Sequence, residues 1–202
     1  MTDSIPAVVP PGRMAALTQP SYDLPCGMRL RPWEPYDAPA LVAAYADPDI
    51  RHWNRPDPLT EARAVTRIAR WRERWHAERS AVWALAPAEG VDDGDGSDGS
   101  PAVGLIGLAD LDLPGGSGEF MYWLLPAGRG SGATAEGLSV LTRWAFEDLG
   151  LHRLRITHSV ANPASCRVAL KSGYPLEGTM RGALLHADGW HDEHLHARLR
   201  TD

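Results

Sequence analysis

Trp123-Leu-Leu-Pro-Ala-Gly-Arg-Gly-Ser-Gly-Ala-Thr-Ala-Glu136 is the stretch from which the rest of the chain can be placed. An apolar run stops at Pro126, a glycine-rich loop carrying Arg129 follows, and an amphipathic helix then begins. Glycines at 128, 130 and 132 reach backbone dihedrals closed to other residues and leave no Cβ in the way of a ligand. The N–H groups of such a loop and of the first helical turn have no partner within the helix. With the positive end of the helix dipole they form a site for phosphate. A Walker loop needs Gly-Lys-Ser/Thr, and the only lysine of the chain is Lys171. The dinucleotide fingerprint G-x-G-x-x-A is matched by Gly128-x-Gly130-x-x-Ala133. It expects an acidic residue at the end of the next strand, but Arg153 to Val160 runs into Ala161-Asn162. On the loop alone, a glycine-rich turn without a ligand also stays open.

The composition bounds what surrounds this loop. A chain of 202 residues with 44% hydrophobic residues fits one domain with a real core. No run of 18 or more apolar residues exists, so no membrane span is expected, and no signal peptide is seen at the N-terminus. Cys26 and Cys166 fit neither a disulfide framework nor a zinc cluster, which makes a reducing cytoplasm the default location. A net charge of −6 argues against general nucleic-acid binding and is compatible with a cationic amine as substrate.

Outward from the loop, residues 1–27 are proline-rich and aperiodic and read as an extended arm, with the main domain at 28–202. Met28 to Trp33 is a short strand; Tyr36 to Ala46 is a helix that Asp47-Pro48 ends. Thr60 caps a second helix to about Arg79. Its apolar face is Ala64, Ile68, Trp71 and Trp75; Arg63, Arg67, Arg70 and Arg74 form a second, solvated face. Ala81 to Ala86 is a strand, and the Asp/Gly/Ser-rich segment 89–100 reads as a flexible hairpin loop whose spacing fails the calcium-loop pattern. Ala102 to Leu111 and Glu119 to Leu125 are antiparallel strands. After the loop, a helix runs from Ala133 to Leu149, closed by Gly150. Arg153 to Val160 is a strand, Asn162-Pro163 starts another helix that Gly173 ends, and Leu176 to Arg181 and Trp190 to Leu199 are the last strands. The expected class is α/β (α+β), with about seven strands and four helices.

This order, with a phosphate loop between the fourth strand and the third helix, resembles the GNAT superfamily of N-acetyltransferases. The loop Arg129-Gly130-Ser131-Gly132-Ala133-Thr134 is similar to the family's Arg/Gln-x-x-Gly-x-Gly/Ala cradle for coenzyme A, with Thr134 in place of a small last residue. Glu119-Phe-Met-Tyr122-Trp123-Leu124, Asn162-Pro-Ala-Ser165, Gly173-Tyr174, Glu177-Gly178 and Trp190-x-Asp192 resemble the RimJ/RimL branch, which acetylates ribosomal-protein N-termini. The likeness covers about Met28 to Leu199.

The resemblance implies a mixed sheet whose fourth and fifth strands splay apart, with acetyl-CoA between them. Leu124 and Leu125 are expected to pair with the pantetheine through backbone, and Arg129, Gly130, Ser131, Gly132, Ala133 and Thr134 to hold the pyrophosphate. Asn162 is expected to cap its helix and touch the cofactor. Amine acetylation needs a neutral amine, donors for the oxyanion and a proton for the leaving thiolate. Glu119, at the start of an apolar strand, is the candidate base. Ser165 is the candidate on the thiolate side, because Ala169 stands where many family members carry an acidic tyrosine; Tyr174 is read as packing. Trp53 and Trp190 are expected to border the acceptor. His194 and His196 share a strand face with Asp192 while His191 points away, and no metal is assigned. The implied activity is acetyl transfer to a primary amine, of a peptide or protein N-terminus or of a small molecule. A non-catalytic acyl-CoA-binding regulator is the alternative, and a homodimer is common among such enzymes.

Overall fold

The computed structural model describes residues 5–88 and 100–202. The flexible hairpin loop read at 89–100 lies, but for Ser100, outside these residues. Eight strands form one sheet: β1 (Tyr22–Asp23), β2 (Met28–Pro32), β3 (Ala81–Pro87), β4 (Gly104–Asp112), β5 (Ser117–Leu124), β6 (Arg153–Ser159), β7 (Leu176–His186) and β8 (Gly189–Leu199). Their spatial order is β1-β2-β3-β4-β5-β6-β8-β7. Every neighbouring pair is antiparallel except β5 and β6, which are parallel. The α-helices are α1 (Ala38–Ala46), α2 (Pro48–Asn54), α3 (Glu61–His76), α4 (Ala133–Trp144) and α5 (Pro163–Lys171).

The mixed α/β class stands, with one strand and one helix more than the sequence suggested. Strand β1 is two residues long, too short for any periodicity. Helix α2 begins where a helix end was expected. Asp47-Pro48 does stop α1, but the Asp47 carboxylate accepts the Ile50 N–H at 3.0 Å and Pro48 occupies the first turn, so the same dipeptide caps a new helix.

Alternation along the strands sends side chains to two cores. Val82, Ala84, Leu105 and Trp123 face α1, α2 and α3, where Trp33, Leu41, Ile50 and Ile68 are buried. Trp83, Leu85, Ile106 and Leu108 face α4 through Leu138, Leu141 and Trp144. Gly137 allows that approach, because a Cβ there would stand 2.5 Å from Ile106 Cδ1. The rings of Trp75, Trp83 and Trp144 pack at centroid distances of 5.1–5.9 Å. Val9, Met14 and Leu24 of the N-terminal segment are buried in this second core, and Glu78 accepts the N–H groups of Gly12 and Met14 at 2.7 Å. Among the described residues no helix is long and apolar enough to cross a membrane.

The sheet opens at one place. β5 and β6 pair only through Ser117, Gly118 and Glu119 against Arg153, Leu154 and Arg155. Beyond Glu119 they diverge, which is the splay expected of the fourth and fifth sequence-read strands.

Candidate active site

A cavity of about 590 Å³ occupies the gap between β5 and β6. Its walls come from α2, β5, the N-terminal turns of α4 and α5, β6, and the β7–β8 hairpin. Glu119, Tyr122, Leu124, Arg129, Thr134, Asn162, Ser165 and Trp53 all line it.

The glycine loop lies at one end. Gly130 and Gly132 have φ of 80° and 83°, and Gly132 is the N-cap of α4 with no side-chain cap. A residue with a Cβ would be strained at either φ. Ser131 Oγ accepts the Ala133 N–H at 3.3 Å. Among the described residues the N–H groups of Gly130, Gly132 and Thr134 find no protein acceptor, as an anion cradle requires.

Arg129 departs from its expected role. Its guanidinium is bound by Asp47 at 3.0 Å and Asp49 at 2.7 Å, and donates to the Leu124 carbonyl at 3.1 Å. The arginine thus ties the loop to α2 with its charge compensated. The Asp47 carboxyl lies below its usual pKa, first through the Ile50 N–H and then through Arg129. Beside the loop stands Lys171, which makes no ion pair among the described residues and whose ammonium lies 3.9 Å from where a Cβ on Gly132 would stand. Nothing in linear order points to Lys171, because only the fold brings the end of α5 to the start of α4.

Backbone polarity along β5 separates the two leucines. The Leu125 N–H donates to the Val103 carbonyl at 2.8 Å, and its own carbonyl accepts from Gly128 at 2.9 Å. Leu125 therefore has nothing to offer a ligand, contrary to expectation. Hydrogen-bonding direction alternates along an antiparallel ladder, so Tyr122 and Leu124 turn their backbone groups toward the gap that β6 has left, where the Leu124 carbonyl already accepts from Arg129 and its N–H faces the gap.

Ser165 sits in the first turn of α5, 9% exposed. Asn162 Oδ1 accepts the Ser165 N–H at 3.1 Å, the cap expected from Asn-Pro. The Ser165 hydroxyl lies 2.6 Å from the Tyr122 phenol. Burial pushes the Tyr122 pKa up to about 12, against which the Ser165 hydrogen bond acts. Tyr122 was read only as part of a motif. Tyr174 is core, as expected: it is fully buried with its phenol 2.6 Å from Thr142 Oγ1.

Glu119 is not in an apolar setting. Arg155 Nε lies 2.7 Å from one carboxylate oxygen and Thr157 Oγ1 donates to the other at 2.5 Å. These partners come from β6, in register with Glu119. A second carboxylate, Glu193 on β8, also lines the cavity. It is 8% exposed and no protein hydrogen bond engages it among the described residues. Burial raises its pKa, and the nearby Glu119 carboxylate raises it further. The only sequence signal for Glu193 is a carboxylate on the same side of an alternating strand as His191 and Leu195.

At the far end Trp53 meets His52 at 4.2 Å and His186 at 6.0 Å between ring centroids. His186 stacks on His191 at 4.2 Å. Trp190 does not join them. It is 68% exposed at the tip of the β7–β8 hairpin and is not part of the cavity wall, because hairpin alternation turns it away while His191 turns inward. His186 and Leu184 take the place expected of it.

Residues 28–175 match the acetyltransferase (GNAT) domain family. The ribosomal-protein-serine acetyltransferase of Escherichia coli is 31% identical over 97 residues, 48% of this chain and 54% of the relative. The match thus spans about half of that relative's length. A crystal structure of a probable acetyltransferase superposes with a TM-score of 0.75 at 26% identity, covering 87% of this chain and 94% of the other. RimL, a ribosomal-protein alpha-N acetyltransferase solved with coenzyme A, superposes with a TM-score of 0.72 at 17% identity, covering 86% and 94%. The chain belongs to the GNAT acetyltransferase family.

Proposed function

We propose that this protein is an acetyl-CoA-dependent N-acetyltransferase acting on a primary amine by direct attack in a ternary complex. The observation that carries the proposal is the parting of β5 and β6 beside an uncapped, glycine-lined helix start. An extended pantetheine arm fits that gap by adding to β5 through Leu124 and Tyr122. The N–H groups of Gly130 to Thr134 receive the pyrophosphate, with Lys171 as the nearby cation. RimL, of the same fold, holds coenzyme A, which supports the choice of cofactor.

The amine enters from the side of Trp53, His186 and Glu193. Attack on the thioester forms the C–N bond and breaks the C–S bond, with an oxyanion between. The amine proton goes to a carboxylate, for which Glu193 is the better suited: no hydrogen-bond partner engages it among the described residues and its pKa is raised, whereas Glu119 is held by Arg155. The leaving thiolate takes the Ser165 hydroxyl proton, the Tyr122 phenol resupplies Ser165, and solvent returns a proton to Tyr122 and takes one from Glu193 as the products leave. General acid and base groups of this kind contribute about 100- to 10,000-fold each.

The acceptor is a peptide or protein N-terminus, a reading supported by the names of the Escherichia coli relative, a ribosomal-protein-serine acetyltransferase, and of RimL, an alpha-N-protein acetyltransferase. The test is coenzyme A release across peptides with serine or alanine at the N-terminus, polyamines and aminoglycosides. Release with peptides alone supports the reading. Release with a small amine alone replaces the acceptor, and none with any amine leaves a cofactor-binding protein.

A further inference from the structure

Strands β6 and β8 pair so that His158 stands directly opposite His194. His196, two residues further along β8, shares the face of His194. Helix α5 crosses that face and brings Cys166 against the three imidazoles. The four ligand-capable atoms all lie within 4.8 Å of one another, with Cys166 Sγ 3.9 Å from His196 Nε2.

Two of the rings are already oriented. His196 Nδ1 lies 2.9 Å from the Tyr174 carbonyl, and His158 Nδ1 lies 2.8 Å from the Ser159 carbonyl. A carbonyl only accepts, so each Nδ1 carries the hydrogen and each Nε2 presents its lone pair inward. This is how carbonyl partners orient the histidines of metal sites. His158 Nε2 and His194 Nδ1 are buried and have no hydrogen-bond partner. Buried polar atoms are nearly always paired. His196 Nε2 already meets the Cys166 thiol, so the two orphaned nitrogens are those of His158 and His194, and a cation at the centre engages all four atoms at once.

We infer that His158, Cys166, His194 and His196 form a structural zinc site. Nitrogen and thiolate ligands select zinc among the common cations. Tetrahedral zinc at ordinary bond lengths sets ligand atoms about 3.3–3.6 Å apart, so the group closes by roughly an ångström on binding. Zinc displaces the Cys166 thiol proton to solvent. Four protein ligands leave no open position, so the ion is a brace between α5 and the sheet, one residue beyond Ser165. Assigning no metal from the sequence followed from weighing the β8 histidines by themselves. His158 and Cys166 join them only through strand pairing and helix placement.

The experiment uses untagged full-length protein, with zinc and then cobalt(II) as probes. Purified protein is expected to retain about one zinc per chain and to lose thermal stability on chelation. The cobalt form is expected to show tetrahedral d–d absorption with a thiolate-to-cobalt charge-transfer band. Cys166→Ser should remove that band and Cys26→Ser should not; His158→Asn should weaken retention. Folded wild-type protein that takes up neither metal overturns the site. So does a cobalt spectrum of octahedral type, or a charge-transfer band that survives Cys166→Ser. Wild-type protein isolated with a different metal overturns the choice of zinc. The wild-type spectrum decides the matter even if a variant fails to fold, and no readout depends on acetyl transfer.

Discussion

The Tyr122 phenol stands 2.6 Å from the Ser165 hydroxyl, joining the open edge of β5 to the first turn of α5. With a pKa near 12 the phenol stays protonated through the physiological range. Ser165 can thus give up its proton to a thiolate and be resupplied from the same side. Ser165→Ala is expected to lower turnover about 100-fold or more, with little change in coenzyme A affinity. Tyr122→Phe is expected to cost about tenfold, the worth of one hydrogen bond. Single-turnover rates beside cofactor titrations check both. Unchanged turnover in Ser165→Ala removes the serine from the mechanism.

Glu193 connects mechanism to pH. As a base it must be ionised, and its raised pKa places the acidic limb of the rate profile above the ordinary carboxylate range. Glu193→Gln is expected to remove that limb and lower kcat/KM by about 100- to 10,000-fold. The same shift has a stability consequence. A carboxyl whose folded pKa exceeds its unfolded pKa binds more protons when folded, so stability falls as pH rises through that window. Glu193→Gln should therefore melt higher than the parent above the window, and the advantage should vanish below it. Melting curves across pH read this without any substrate.

Much of this arrangement is legible in the sequence alone. The Arg129 loop, the Asn162-Pro163 cap and the order of strands all act over a few residues, where local backbone chemistry decides the outcome. What was missed depends on which strand lies beside which. Glu119 reads as a carboxylate in an apolar strand until β6 sets Arg155 and Thr157 against it. Leu124 and Leu125 are indistinguishable in sequence, but ladder alternation gives one to the cofactor gap and the other to Val103. Trp190 gives way to Leu184 and His186 through the sense of one hairpin.

Lys171 supplies a prediction about affinity rather than chemistry. Its ammonium lies beside Gly132 with no ion pair among the described residues. Lys171→Ala is expected to weaken acetyl-CoA binding several-fold, more so at low salt because exposed charges are screened, with kcat little changed. Equal affinity at low and high salt in parent and variant removes the lysine from the phosphate site.

The bidentate pair Arg31–Asp37 is a stability element away from the site. Asp37 is fully buried, accepts from Arg31 at 2.7 and 2.9 Å, and also accepts the N–H groups of Glu34 and Ala102. Asp37→Ala leaves the Arg31 guanidinium without its carboxylate, held only by the Pro32 and Ser100 carbonyls, and removes the acceptor of two N–H groups. The expected cost is about 3–5 kcal/mol, measured by denaturant unfolding, with the residual folded protein still binding acetyl-CoA.

A structure with coenzyme A bound addresses the central claim most directly. The pyrophosphate should rest on the N–H groups of Gly130 to Thr134, the pantetheine should run along β5 past Leu124 and Tyr122, and the thiol should come within hydrogen-bonding distance of Ser165 Oγ. Coenzyme A lying outside the gap between β5 and β6, or a thiol directed away from Ser165 and Glu193, would contradict the account.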